Sequence, residues 1–171
     1  MINTKIKGNI KNRKELEKIV QNNIVLHSYL FLGEDGIGKK EIAKEFAKQI
    51  LCLTKKDECN CKSCICFETD NHPDFQLIND EGETIKISTI REMISTVYEK
   101  PILSTKKIYI INDADKMTKE AQNCLLKTLE EPPEYVVIIL IISDENKMLT
   151  TIKSRCMKIN FEKINDSEIL K

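Results

Sequence analysis

A chain of 171 residues can bury a proper core, and about one domain is expected. Lys+Arg and Asp+Glu balance at 27 each, aromatic residues make up 5% and Trp is absent, so neither an overall positive field nor a stacking platform argues for a zinc-dependent nucleic-acid-binding module. The longest apolar run, Tyr135 to Ile142, is far shorter than a bilayer span, and Met1 to Lys7 lacks the apolar core of a signal peptide. The chain therefore reads as soluble and cytoplasmic, with no membrane partner.

In chain order, residues 9–24 put Leu16, Ile19 and Val20 on one helical stripe, with Asn22-Asn23 suited to its end. Leu26 to Leu32 is an apolar strand running into Gly33-Glu-Asp-Gly36-Ile-Gly38-Lys39-Lys40. From Lys39 to Leu51, the residues Ile42, Ala43, Phe46, Ala47 and Ile50 recur at helical spacing, so strand, glycine loop and helix follow one another. A Cys-rich insertion occupies residues 52–66. Phe75 to Ile78 is a short strand, and Ser88 opens a helix with Ile90, Met93, Ile94 and Val97 inward, stopping before Pro101. Lys107 to Ile111 lacks polar alternation, as a strand does when both faces are covered. Thr118 caps a helix through Glu130, ended by Pro132-Pro133; Val136 to Ile142 is another apolar strand. A short helix (Asn146 to Ile152) and a last strand (Met157 to Phe161) close the pattern. Alternating strands and helices imply an α/β fold, a parallel sheet with helices on both faces.

The glycine loop carries the chemistry. The pattern G-x-x-x-x-G-K-[ST] needs glycines so that backbone N–H groups can close on phosphate, a lysine to reach the β and γ phosphates, and a hydroxyl to hold Mg²⁺. Gly33, Gly38 and Lys39 are in register, but the hydroxyl position is Lys40, and an ammonium cannot ligate a cation. A second departure follows the strand Lys107–Ile111. Phosphate-loop ATPases place there an Asp that supports Mg²⁺ and an acid that positions the attacking water. Counting from the strand end, Asn112 takes the first place and Asp113 the second; a shifted register would use Asp113 and Asp115 instead. Two altered metal-supporting positions in separate segments favour lost hydrolysis. Mg²⁺ is not expected, and ATP binding is expected to be weak or absent, held if at all by glycine amides. Lys39 reads either as a phosphate contact or as a solvated helix-start lysine. Lys40 points to solvent or partly replaces a cation. His27 and His72 lack metal spacing and read as surface or turn residues.

Two further stretches carry a resemblance. They are Asn123-Cys-Leu-Leu-Lys-Thr-Leu-Glu-Glu-Pro-Pro133 and Ser154-Arg155-Cys156, the latter following Leu149 to Lys153. From the first helix to about residue 165 the chain resembles the clamp-loader subunits of the AAA+ class, most closely the delta-prime family of the bacterial DNA polymerase III holoenzyme. The resemblance implies a three-layer AAA+ phosphate-loop domain over residues 1–164. It also implies that residues 165–171 enter a lid domain, and that the chain is a fragment lacking lid and collar. It makes Arg155 an arginine finger that reaches the γ-phosphate of ATP held by a neighbour, a role that suits an always-charged planar fork. A surface salt bridge is the plain alternative. Ser143 stands where family ATPases place a polar γ-phosphate sensor, and a strand-end hydrogen bond is its plain alternative.

The resemblance further implies a non-hydrolysing scaffold in a heteropentamer with the delta subunit and the ATP-hydrolysing subunits. Such a subunit meets primer-template DNA and the sliding clamp through the complex, and belongs to a nucleotidyltransferase holoenzyme without being an ATPase itself. An active clamp-loader-type ATPase or helicase loader is the alternative, and should carry Ser/Thr and Asp where Lys40 and Asn112 stand.

Five of the seven cysteines fall between Cys52 and Cys66. In an intracellular protein such clustering argues for metal over disulfides, and Cys61-x-x-Cys64 has standard zinc-ligand spacing. The family pattern is one Cys, a gap, then three Cys separated by two residues each. Here only Asn60 separates Cys59 from Cys61. The expected structural Zn²⁺ ligands are Cys52, Cys59, Cys61 and Cys64, with Cys66 in reserve; a reduced loop without metal is the alternative. Cys124 is expected in the core and Cys156 packed behind Arg155.

Overall fold

The structure is a computed structural model and describes residues 8–163. The segment 165–171, expected to enter a lid, lies outside the described residues. Eleven named elements follow in order: α1 (Ile10–Gln21), β1 (Ser28–Leu32), α2 (Lys39–Leu51), α3 (Lys62–Glu68), β2 (Phe75–Ile78), α4 (Ile87–Val97), β3 (Lys107–Ile111), α5 (Lys119–Glu130), β4 (Val136–Ile142), α6 (Thr150–Lys153) and β5 (Met157–Asn160). The strands form one sheet in the order β2-β3-β4-β1-β5, and every neighbouring pair is parallel. No helix among the described residues is long and apolar enough to cross a membrane.

Strand composition explains the layering. Every residue of β3 and β4 is buried, which requires cover on both faces. Successive side chains point to opposite sides, so each apolar strand feeds two cores. Tyr29, Phe31, Ile108, Ile110, Val137, Ile139 and Ile141 meet α1 and α2, while Leu30, Tyr109, Ile111, Ile138, Leu140 and Ile142 meet α4, α5 and α6. On the first face, Phe46 of α2 stands edge-on to Tyr29 with ring centroids 5.2 Å apart. Truncating such a filled position costs about 3–5 kcal/mol, so Phe46 fixes where α2 lies against β1. The ion pair of buried Arg13 with Glu45, bonded twice at 3.0 and 3.1 Å, ties α1 to α2.

Register then places the site. Leu32 pairs with Ile142 and Ile111 with Leu140, so β1 and β4 finish in register and β3 stops two residues short of them. The segments beginning at Gly33, Asn112 and Ser143 thus emerge at the same end of the sheet.

The expected elements differ in four places. Leu26 and His27 precede β1, because the Tyr29 hydroxyl accepts from the Leu26 N–H and turns the chain there. The residues 146–152 form a 3-10 turn (Glu145–Lys147) and the separate helix α6 rather than one helix; the Asp144 carboxylate accepts from the Asn146 N–H and caps the first piece. β5 ends at Asn160, although the Phe161 N–H still donates to the Leu32 carbonyl. Helix α3 inside the cysteine insertion has no counterpart in the sequence reading, since seven residues show too little periodicity.

Candidate functional site

The loop after β1 has the shape its glycines imply. Gly36 and Gly38 have φ of +81° and +89°, and a Cβ on either would face open space, so their backbone borders an unfilled surface. Gly33 differs. A Cβ there would lie 2.5 Å from Ile37 Cδ1 and 2.8 Å from the Phe161 carbonyl oxygen, so a side chain would break the packing of loop on β5.

The polar residues expected to contact nucleotide or metal at this end are engaged within the chain. Lys39 is buried, and its ammonium donates to the Gly33 carbonyl and, at 2.9 Å, to the Ile142 carbonyl. Burial holds its pKa below the usual lysine range, opposed by Asp35, Asp115 and Asp113. Lys40, at the hydroxyl position, donates to Asp80 at 2.8 Å, and that hydrogen bond raises its pKa. Asn112 donates its side-chain amide to the Asn79 carbonyl and receives the Asn79 amide on its own carbonyl, which stitches the ends of β2 and β3 together. Asp113 takes a left-handed backbone (φ 48°) and lies 3.5 Å from the Lys116 ammonium.

Asp115, the catalytic acid in the shifted register, is committed elsewhere. One of its carboxylate oxygens accepts from the Ser143 N–H, the Ser143 hydroxyl and the Asp144 N–H, all between 3.0 and 3.1 Å. Ser143 thus makes the strand-end hydrogen bond named as its plain alternative.

Arg155 follows α6, and one of its guanidinium nitrogens lies 3.1 Å from a carboxylate oxygen of Glu130, the last residue of α5. Both side chains are roughly two-fifths exposed. Cys156 beside it is half-buried, and burial pushes its thiol up to about 12, as expected of packing rather than chemistry. Cys124 is likewise half-buried, packed against the core under α5.

At the other end of the sheet, the Sγ atoms of Cys52, Cys59, Cys61 and Cys64 all lie within 4.8 Å of one another; Cys66 is not in the group. Tetrahedral zinc with Zn–S bonds near 2.3 Å needs sulfurs ~3.8 Å apart, so the four fit that ion with small adjustment. Their surroundings divide them: against burial, hydrogen bonding draws Cys52 and Cys61 toward the thiolate, while burial and its thiol neighbours push Cys64 the other way. The Cys61 N–H donates to the Cys59 sulfur at 3.3 Å. Burial pushes the Cys61 thiol up, but hydrogen bonds from the Cys64 and Leu53 amides and the neighbouring thiols bring it down to about 6. Lys55 caps the end of α2 on the Gln49 and Ile50 carbonyls and is attracted by Cys52, Cys64 and Cys61.

His72 corrects the sequence reading: it is buried, not a surface residue, because Ser63 and the Asp74 N–H bond its two ring nitrogens. Burial holds it below the usual imidazole range. Sequence reasoning also missed Asp80, Glu130 and Asp74, all acids whose partners are distant in the chain. Only Asp74, in His72-Pro-Asp74 directly before a strand, carried a local hint.

Residues 8–165 match the family model for the DNA polymerase III delta subunit. The chain belongs to this family of clamp-loader subunits. DNA polymerase III subunit delta′ of Bacillus subtilis is 37% identical over 158 residues, covering 91% of this chain and 48% of that protein. Subunit tau/gamma of Haemophilus influenzae is 35% identical over 153 residues, 88% of this chain and 22% of that one. Among solved structures, a DNA polymerase III gamma subunit-related protein from Thermotoga maritima matches with a TM-score of 0.70 at 30% identity, covering 91% of this chain and 47% of that one. The α/β AAA+ architecture expected from the sequence is the one found. The chain spans about half or less of the length of these relatives.

Proposed function

We propose that the chain serves bacterial DNA replication as a non-hydrolysing clamp-loader subunit, a scaffold that lends Arg155 to the ATP site of a neighbouring subunit. One observation carries this reading. Of the two positions that should support Mg²⁺, one holds an ammonium that cannot ligate it and the other a neutral amide that contributes far less than a carboxylate, and both are turned to internal partners: Lys40 to Asp80, Asn112 to the backbone of Asn79. A lone triphosphate would find glycine amides and Lys39, and no carboxylate or hydroxyl arranged for a cation.

The place of Arg155 supports action on a neighbour. It stands two residues before Met157, which pairs with Tyr29 near the start of β1. The glycine loop begins four residues further along β1, about 13 Å away at the usual strand rise. The Arg155 guanidinium pairs with Glu130 at the end of α5, not with a residue of its own loop. Its single exposed ion pair with Glu130 is weak enough to exchange for phosphate oxygens.

The partners on this reading are the delta subunit and the ATP-hydrolysing subunits in a heteropentamer, with primer-template DNA and the sliding clamp met through the complex. The four-cysteine cluster would hold a structural Zn²⁺ through Cys52, Cys59, Cys61 and Cys64; such an ion supplies folding energy and no step of ATP turnover.

The tau/gamma relatives, as similar as delta′, favour a second reading as an active ATPase. Turnover separates the two. The isolated protein with ATP and Mg²⁺ should hydrolyse nothing above background, whereas Arg155→Ala in the assembled loader should slow ATP hydrolysis at the adjoining site by roughly 10³-fold or more without releasing the subunit. Unchanged turnover by the assembled variant would remove the finger assignment. Mg²⁺-dependent hydrolysis by the lone chain would establish the second reading.

A further inference from the structure

The cysteine cluster sits beside a buried polar chain that phosphate chemistry does not use. Ser63 lies between Cys61 and Cys64 in the metal-binding turn, and its hydroxyl is 1% exposed. It donates at 2.7 Å to the carbonyl of Leu51, the residue before Cys52. That single hydroxyl thus joins the two halves of the cluster from behind. His72 continues the chain. Its Nδ1 accepts from the Asp74 N–H at 3.0 Å, which leaves the proton on Nε2, and Nε2 donates to the Ser63 oxygen at 2.8 Å.

Asp74 completes it. Its carboxylate, also 1% exposed, accepts from three consecutive amides, Ile102, Leu103 and Ser104, between 2.6 and 2.7 Å. The turn so held leads into β3 and projects Ile102, 83% exposed, into solvent. No side-chain polar atom buried among the described residues is left without a hydrogen-bond partner, so the network is complete as it stands. A fully satisfied buried chain of this kind has few alternative arrangements, because each broken link strands a desolvated group.

We propose that the cysteine cluster and the turn at 101–104 form one mechanical unit joined through Ser63, His72 and Asp74, so that closing the four thiols on a metal ion fixes the surface turn that presents Ile102. The inference rests on the zinc reading and gives the metal a task beyond its own loop. With the thiols unconstrained, the segment carrying Ser63 loses its anchor. The imidazole then loses its acceptor, and Asp74 is freed to leave the three amides. His72 and Ser63 are positioning residues here, for they touch neither the ion nor any substrate. A second, shorter link exists: the Ser104 hydroxyl donates to the same Leu51 carbonyl at 2.6 Å. The experiment separates the two.

Amide hydrogen exchange is followed on the intact protein with Zn²⁺ bound, after removal by a chelator, and after Zn²⁺ is restored, with bound metal counted in each state. Chelation should speed exchange at the 102–104 amides by roughly tenfold or more, in step with residues 52–66 and reversibly, while the β4 amides stay protected. In His72→Ala, residues 52–66 should still respond to Zn²⁺ and the 102–104 amides should not. Ser63→Ala removes the same link with one oxygen atom and should decouple the turn likewise, should the histidine variant not fold. If Zn²⁺ binds and protects 52–66 but leaves 102–104 unmoved, the coupling is overturned and the metal site stands. A turn response that survives both variants but vanishes in Ser104→Ala puts the link on the Leu51 carbonyl and overturns the role of His72. Protein that holds no Zn²⁺ overturns the metal reading and the coupling together.

Discussion

The two ends of the sheet were built by different rules. Where the strands finish, the glycine loop, Asn112 and Ser143 keep the outline of a nucleotide site, yet Lys39, Asn112 and Ser143 have found partners inside the chain. Where the strands begin, four sulfurs converge with a hydrogen-bonded frame behind them. One end has the shape of a ligand site with its chemistry turned inward; the other has the chemistry of a site, gathered and ready. Convergence of donor atoms and preservation of a loop outline are thus separate kinds of evidence, and each end of this sheet offers one of them.

That contrast can be broken from either side. The largest effect is expected at the beginning of the strands. Cys64→Ala should abolish stoichiometric zinc and lower the melting temperature by about 10 °C, because a structural metal contributes directly to folding. Cys66→Ala should leave the metal ratio unchanged. Metal analysis with thermal denaturation checks both, and equal loss in the two variants would mean the ligand set is misassigned.

Next comes the latch at the opposite end. Asp115→Ala removes the acceptor of three bonds and strands the Ser143 and Asp144 amides, which should cost about 2–3 kcal/mol in urea unfolding. A cost below about 0.5 kcal/mol would show that this end is loosely held after all.

The double variant Lys40→Ser with Asn112→Asp asks whether the inward-turned chemistry alone separates this end from a competent site. It should create a roughly tenfold Mg²⁺ dependence of ATP affinity by calorimetry, while Lys40→Ser alone should not. The smallest effect belongs to Arg155→Ala without partners. An exposed ion pair is worth about 0–1 kcal/mol, so the melting temperature should move by no more than about 3 °C.

How much the sequence disclosed follows from the range of the interactions. The apolar strands and the helix of Phe46 were legible because burial on both faces, or on one stripe, writes itself into local composition. The cysteine set was legible because metal spacing is short-range, and the structure gathers the four expected thiols and leaves Cys66 outside. The partners of the charged groups were not. Lys40 and Asp80 are 40 residues apart, and the Asp74 carboxylate and the Leu103 amide are 29 apart, joined only once the sheet is assembled. His72 was misread for a different reason: its partners are near in sequence, but an imidazole between two hydrogen bonds looks no different in sequence from one in water.

Arg155 stands near the starts of the strands and the glycine loop at their finish, so the two features lie toward opposite ends of the sheet. On the proposed reading, a member that lends a guanidinium from one end and hydrolyses nothing at the other would join a head-to-tail row as a giver that does not take, and so would give the row a direction.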